Sequence, residues 1–211
     1  MAYTRKGFLG EFQGRIRNMV IYQMNGKTIV RNKPSGRRGP ASPALQAAQG
    51  KFARVMNVVQ GVKPFLQAGF RDVAGGRYVF QRALSENLAR YDQSAAPETL
   101  DWLTMSLGER AGARDLILTI DGNTGQVSWG EPEEGKPYSA TDQVLMLALN
   151  TTTLDATDNY NAGQRSKGQA TIKLPPVKED EKIRVYVAFR DLEGTNDGYS
   201  LNNISSSQTA E

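Results

Sequence analysis

Lys182-Ile183-Arg184-Val185-Tyr186-Val187-Ala188-Phe189-Arg190 is the stretch on which the fold class turns. Ile183, Val185, Val187 and Phe189 recur at every second position, the period of a strand whose alternate side chains share one face. The same period governs the chain from Thr99 onward. It predicts strands over Leu100–Ser106, Leu116–Asp121, Gln126–Trp129, Gln143–Asn150, Gln169–Leu174, Ile183–Arg190 and Tyr199–Ile204. Asp121-Gly122-Asn123-Thr124-Gly125, Glu193-Gly194 and Asp197-Gly198 supply turn residues between them. Short strands at this spacing, with no helices between them, predict an antiparallel β-sandwich of immunoglobulin or fibronectin type. With no cysteine to bridge the sheets, Trp129 or Trp102 is the candidate core pin. Ser205–Glu211 reads as a polar tail.

Upstream of Thr99 the pattern is different. Ile16 to Arg31 reads as a β-hairpin around Asn25-Gly26, the preferred two-residue type I′ turn. That turn sets a register pairing Met24 with Lys27, Tyr22 with Ile29 and Val20 with Arg31 on one face, and Ile21 with Val30 on the other. Apolar residues therefore fall on both faces, and a lone hairpin of this kind is marginal in water. Asn32 to Pro43 is a linker interrupted by Pro34, Gly36, Gly39 and Pro40. Ser42-Pro43 has the form of an N-cap and first helical residue, ahead of apolar positions at Leu45, Ala48, Phe52, Val55, Met56 and Val59. Further helical segments follow, one from Pro64 through Phe70 and one from Val79 through Tyr91. The expected architecture is thus α+β: a basic hairpin-plus-helices domain over residues 1–96, an immunoglobulin-like sandwich over 97–204, and a tail over 205–211.

Composition narrows the function. Of 211 residues none is cysteine and none is histidine. Zinc–thiolate sites, thiol catalysis, iron–sulfur ligation and every Ser–His couple are excluded. No Ser-x-x-Lys arrangement, phosphate-binding Gly-x-x-x-x-Gly-Lys-Ser/Thr loop or dinucleotide fingerprint occurs. The run from Asp121 to Gly125 echoes the start of a calcium loop, and Asp155 and Asp158 add oxygens, but the bidentate Glu of an EF-hand is missing, so each is read as a turn. No catalytic residue, metal or cofactor is expected. No stretch approaches the roughly 20 apolar residues of a membrane span, and the first ten residues lack the apolar core of a signal peptide. Cytoplasmic synthesis without a membrane partner is the expectation.

Charge divides the chain. Through Tyr91 there are 16 Lys and Arg against Glu11, Asp72 and Glu86, a net +13; the remainder carries −9, for +4 overall. An excess this large points to phosphate or to an acidic protein surface as partner.

The blocks Gly7-x-Leu9-Gly10-x-Phe12-x-Gly14, Val20-x-Tyr22, Gly26-Lys27, Ser42-Pro43-Ala44-Leu45-Gln46, Lys63-Pro64-Phe65 and Gly69-Phe70 follow one another in order. So do Val127-Ser128-Trp129, Ala140-Thr141-Asp142, the run Gly168 to Pro175, and Val185 to Phe189. Together they resemble a family of uncharacterised domains common in Bacteroidota. The resemblance implies a basic hairpin-and-helix amino half and an immunoglobulin-like carboxyl half, and brings no activity with it.

The expected function is structural and non-enzymatic: a component of a phage virion or phage-like particle, docked to other protein subunits in a homo- or hetero-oligomeric assembly through its basic amino-terminal arm. Phe8, Phe12, Arg15, Arg17, Tyr22 and Arg31 are the candidate interface residues, because aromatic and Arg side chains dominate interface hot spots. The alternative is a nucleic-acid-associated accessory protein that neutralises phosphates, without sequence preference, through Lys33, Arg37, Arg38, Lys51 and Arg54.

Overall fold

A computed structural model describes residues 2–4, 12–24, 27–35, 39–71, 78–178, 181–191 and 208–210. Among these residues the fold is mixed α+β, with three α-helices and three antiparallel sheets. Its contacts divide the chain into two compact units, Met1–Gln46 and Ala47–Glu211. This division falls at 46/47, whereas the expected boundary lies at 96/97. Net charge changes sign near residue 91, but charge is a property of the surface. The division follows shared apolar contacts, and the helices share theirs with the strands that come after them.

The first unit holds one sheet, β1 (Ala2–Thr4), β2 (Phe12–Ile16), β3 (Met19–Met24) and β4 (Lys27–Asn32), ordered β1-β2-β3-β4. The β3–β4 register pairs Met24 with Lys27, Tyr22 with Ile29, Ile21 with Val30 and Val20 with Arg31, as the sequence predicts. The Asn25-Gly26 turn lies outside the described residues. The β2–β3 connection places Arg17 at φ 50°, the left-handed region that side chains rarely adopt. Helix α1 (Pro43–Gly61) begins at the predicted Pro43, and the Ser42 hydroxyl accepts from the Leu45 amide at 3.4 Å.

The second unit is layered about a central sheet, ordered β11-β10-β7-β8, in which β7 spans Gln143–Asn150, β8 Ala156–Gln164, β10 Ile183–Arg190 and β11 Gln208–Ala210. On one side Leu145, Leu147, Leu149, Tyr186 and Ala188 meet α1, α2 (Lys63–Gly69) and α3 (Val79–Gln93) in a core with Val55, Val59, Phe65, Phe70 and Trp102. On the other side Val144, Met146, Ala148, Val185, Val187 and Phe189 share a second core with Trp129 and with Val127 and Ile172 of the outer sheet, β5 (Ile117–Asp121), β6 (Thr124–Ser128) and β9 (Gln169–Lys173), ordered β5-β6-β9. Covering both faces of a strand requires apolar side chains at every position, which is why β7 reads Val-Leu-Met-Leu-Ala-Leu without alternation. Each candidate tryptophan pins a different core. Trp102 meets Tyr91 edge-on at 5.3 Å and donates to the Pro97 carbonyl; Trp129 meets Phe189 edge-on at 5.4 Å and donates to the Arg165 carbonyl.

Three further expectations are revised. Leu100–Ser106 is not a strand. Leu100 sits at φ 60°, and the Thr104 amide donates to Asn87 Oδ1 at 2.8 Å instead of to a ladder, so this apolar run lines the helix-side core as an irregular segment. Residues 156–164, too polar to signal a strand, form β8 along the edge of the central sheet. The described part of the tail, Gln208–Ala210, pairs with Val185–Val187 of β10. Predicted strand Tyr199–Ile204 lies outside the described residues.

Candidate functional site

The arm sheet is a single layer. A sheet buries a face only against a second layer, and among the described residues of the first unit no helix or second sheet lies over this one. Ile16, Met19, Met24 and Val30 consequently expose 40%, 42%, 52% and 56% of their surface, against 0–8% for apolar residues in the two cores of the second unit. Registers running β2–β3–β4 put Arg15, Val20 and Arg31 in one row, with Tyr22 and Ile29 in the next row of the same face. Arg31 stands 5.5 Å from the centre of the Tyr22 ring, a cation–π distance. Arg15, Tyr22 and Arg31 are thus brought together, Tyr22 half-buried and both arginines exposed. Arg17 is exposed at the β2–β3 turn. Phe12 lies in β2 opposite Thr4; its side chain, and Phe8 altogether, fall outside the described residues.

The phosphate-binding set is not gathered by the described geometry. Lys33 is exposed just past β4 in the first unit. Lys51 and Arg54 belong to α1 in the second unit, where both turn toward α3: Lys51 Nζ donates to both Asp92 oxygens at 2.8 Å, and Arg54 reaches the Tyr91 hydroxyl at 3.4 Å. Arg37 and Arg38 lie outside the described residues.

Sequence reasoning missed a buried ionic cluster of the second unit. Asp142, fully enclosed, accepts from Arg110 Nε at 2.8 Å and from Nη2, and its second oxygen accepts from the Ser139 amide and faces Arg165 Nε at 3.2 Å. Arg110 also pairs with Asp191 at 3.2 Å. Arg165 donates to the Gly112 carbonyl at 2.9 Å and to that of Ala111, and stacks on Phe189. Burial pulls the Arg165 guanidinium below its ordinary value, and the Asp142 charge opposes that shift. The two arginines and two aspartates balance in charge, and carbonyls and carboxylates of the fold occupy them. The cluster therefore acts as a clasp closing the loops at 109–113, 139–142 and 165–168. Its ion-paired members lie 32, 23 and 81 residues apart along the chain, outside any local spacing rule.

Among the described residues, no three Asp or Glu side chains converge as metal ligands. A cleft of about 600 Å³ lies between the Glu98–Asp101 turn and Thr151, Lys182 and Arg184. There the Asp101 carboxylate is held below its ordinary value by the Thr99 hydroxyl and by Arg184, 2.8 Å away. Of the cleft's charged groups, Asp101 and Arg184 are paired with each other. No described helix is long and apolar enough to cross a membrane.

No curated protein and no solved structure matches the chain. A family model does, over residues 11–203, which takes in most of the arm sheet, all three helices and nearly all of the described β-layers. The chain belongs to DUF6266, a family of unknown function.

Proposed function

We propose that the protein is a non-enzymatic structural subunit of a phage virion or phage-like particle, attached to neighbouring subunits by its basic amino-terminal arm. The observation that carries this reading is the single-layer arm sheet, which leaves large apolar side chains exposed on a unit with too little material to cover them. A surface of this kind marks an interaction site. Arg15, Tyr22 and Arg31 on one face supply the residue types that anchor interfaces. The carboxyl-terminal part is the module that the arm attaches. Taking β5 to β11 as strands A to G, the sheets run A-B-E and G-F-C-D, an order that supports an immunoglobulin- or fibronectin-like sandwich in which the fourth strand has joined the third.

The test is co-sedimentation of the tagged chain with particles from its own host. Deleting residues 1–31 is expected to abolish co-sedimentation while the thermal unfolding of the second unit stays unchanged. Equal recovery of the deleted and full-length chains with the particles would refute the reading.

The basic face also favours a second reading, phosphate neutralisation by the arm, since Arg15, Lys27 and Arg31 share it with the stacking-competent Tyr22. In that case affinity for duplex DNA falls by about one log unit per log of salt for each phosphate contacted. A chain that enters particles yet shows no salt-dependent DNA retention leaves the structural reading alone.

A further inference from the structure

We infer that strand β4 of one copy adds to strand β5 of a second copy, continuing the second copy's outer sheet in antiparallel register. The inference rests on the assembly reading and names the partner within it. Two edges carry it. Strand β4 pairs only with β3, and β5 only with β6, among the described residues. Neither edge has the proline or bulge that natural edges use against pairing, and β5, Ile-Leu-Thr-Ile-Asp, has no lysine either. Ile117 and Ile120 of β5 are 60% and 55% exposed, and Val30 of β4 is 56% exposed.

Three constraints select one register. The first is the direction of the free backbone groups. Both hairpins close over two residues, Met24 opposite Lys27 and Asp121 opposite Thr124. Hydrogen-bonded and non-hydrogen-bonded pairs alternate from that closing pair. Hence Thr28 and Val30 of β4, and Leu118 and Ile120 of β5, direct their N–H and C=O groups outward. The second constraint is the face. Leu118 packs against the sheet-side core, so its partner on an added strand must be apolar, and Val30 is the apolar outward-bonding residue of β4. The third is charge. Setting Val30 opposite Leu118 places Thr28 opposite Ile120 and Lys27 opposite Asp121, and it brings Lys33 to the end of β5 that carries Asp115. Shifting by two residues sets Ile29 opposite Asp121 in one direction or Thr119 opposite Lys27 in the other, and either loses the Lys27–Asp121 pair. Strand addition of this type draws its affinity from main-chain hydrogen bonds and its specificity from alternate side chains. Because β4 and β5 are different surfaces, the contact is head-to-tail: it closes as a ring or an arm-exchanged pair, or it propagates.

The absence of native cysteine makes the register directly readable. Ile29 and Thr119 face each other as a non-hydrogen-bonded pair in the inferred register, about 4.5 Å apart at Cα, within disulfide reach. Full-length Ile29→Cys and Thr119→Cys chains, mixed and oxidised, are expected to give a cross-linked dimer on a non-reducing gel. Ile29→Cys mixed with Ile117→Cys, two residues off register, is expected to give little. Light scattering of the unmodified chain should show mass rising with concentration. Lys27→Glu or Asp121→Lys should each weaken association roughly tenfold, and a mixture of the two should recover it. A chain that stays monomeric at every concentration overturns the inference, as does a cross-link formed only when both cysteines sit on one chain. If such a monomer still enters particles through its arm, the assembly reading stands and the second-copy partner falls. If the cross-linked oligomer forms but no particle takes it up, the reverse holds.

Discussion

The Arg165 guanidinium lies 3.7 Å from the centre of the Phe189 ring, a cation stacked on the aromatic that Trp129 meets from its edge. One arginine thereby ties the β8–β9 connection to the end of β10, and through Asp142 to the approach to β7. Asp142→Ala removes the anion shared by two buried guanidinium groups and should cost ~3–5 kcal/mol in denaturant unfolding. Arg165→Lys should not substitute, because an ammonium cannot reach both the Ala111 and Gly112 carbonyls while stacking flat on a ring. A loss below about 1 kcal/mol for Asp142→Ala would show that the clasp adds nothing to stability.

The two tryptophans make separable contributions. Trp129→Ala and Trp102→Ala should each lower stability by ~3–5 kcal/mol, the first opening the sheet-side core and the second the helix-side core. Near-ultraviolet circular dichroism of each variant should lose the band of the remaining partner, Phe189 or Tyr91. Either substitution passing with less than about 1 kcal/mol would mean that its indole does not fill the space it occupies.

Gly69 is a contact, not a hinge. A methyl group there would sit 2.1 Å from the Met105 carbonyl oxygen and 2.8 Å from Ser106 Cβ, while the Gly69 carbonyl accepts from the Leu107 amide at 3.2 Å. Gly69→Ala should destabilise by ~1–3 kcal/mol or more, despite alanine's better helix propensity. Gly50, with open space around it, is the control: Gly50→Ala should stabilise α1 by up to ~1 kcal/mol. The two substitutions moving the melting temperature in the same direction would contradict this packing.

Acid should weaken the second unit. Glu181 is held below its ordinary 4.5 by the Asn150 side chain and the Lys178 amide, Glu133 by Lys136, and Asp101 by Thr99 and Arg184. Each carboxylate binds its proton more tightly in the unfolded chain than in the folded one. Their contribution is complete above the ordinary carboxylate values and is lost as pH falls through the lower native ones. Urea midpoints measured from pH 7 down to pH 3 should therefore drop, and Glu181→Gln should flatten part of that slope. A midpoint that rises on acidification would reverse the sign.

The hairpin register was legible because Asn25-Gly26 between β-branched runs leaves one pairing, and β7 and β10 were legible because unbroken or alternating apolar runs of eight residues leave no other reading. Strand β8 was not, since Thr157, Asp158, Asn159 and Asn161 give an edge strand the composition of a loop. Leu100–Ser106 misled for the opposite reason: its buried residues are apolar because they line a core, and Asn87, seventeen residues upstream, takes the place of a neighbouring strand. The ionic clasp left no local signature, its members meeting only once four separate loops are in place. Of the candidate interface residues, Tyr22 and Arg31 were placed on one face by counting from the turn, whereas Arg15 joined them only with the β2–β3 register and the free edge of β5 became visible only with the order of the sheets.

Strand β7, walled on both sides, ties the fate of the two outer layers together. Peeling off the helices would hand Leu145, Leu147 and Leu149 to water; stripping away the outer sheet would do the same to Val144, Met146 and Ala148. Neither layer has a partner-free state in which the other survives intact, so a fragment cut at residue 97 would be a sticky remnant and not a working module. The second unit should melt in one calorimetric step, and the amide protons of β7 should be the last to exchange with deuterium, at the rate of global opening.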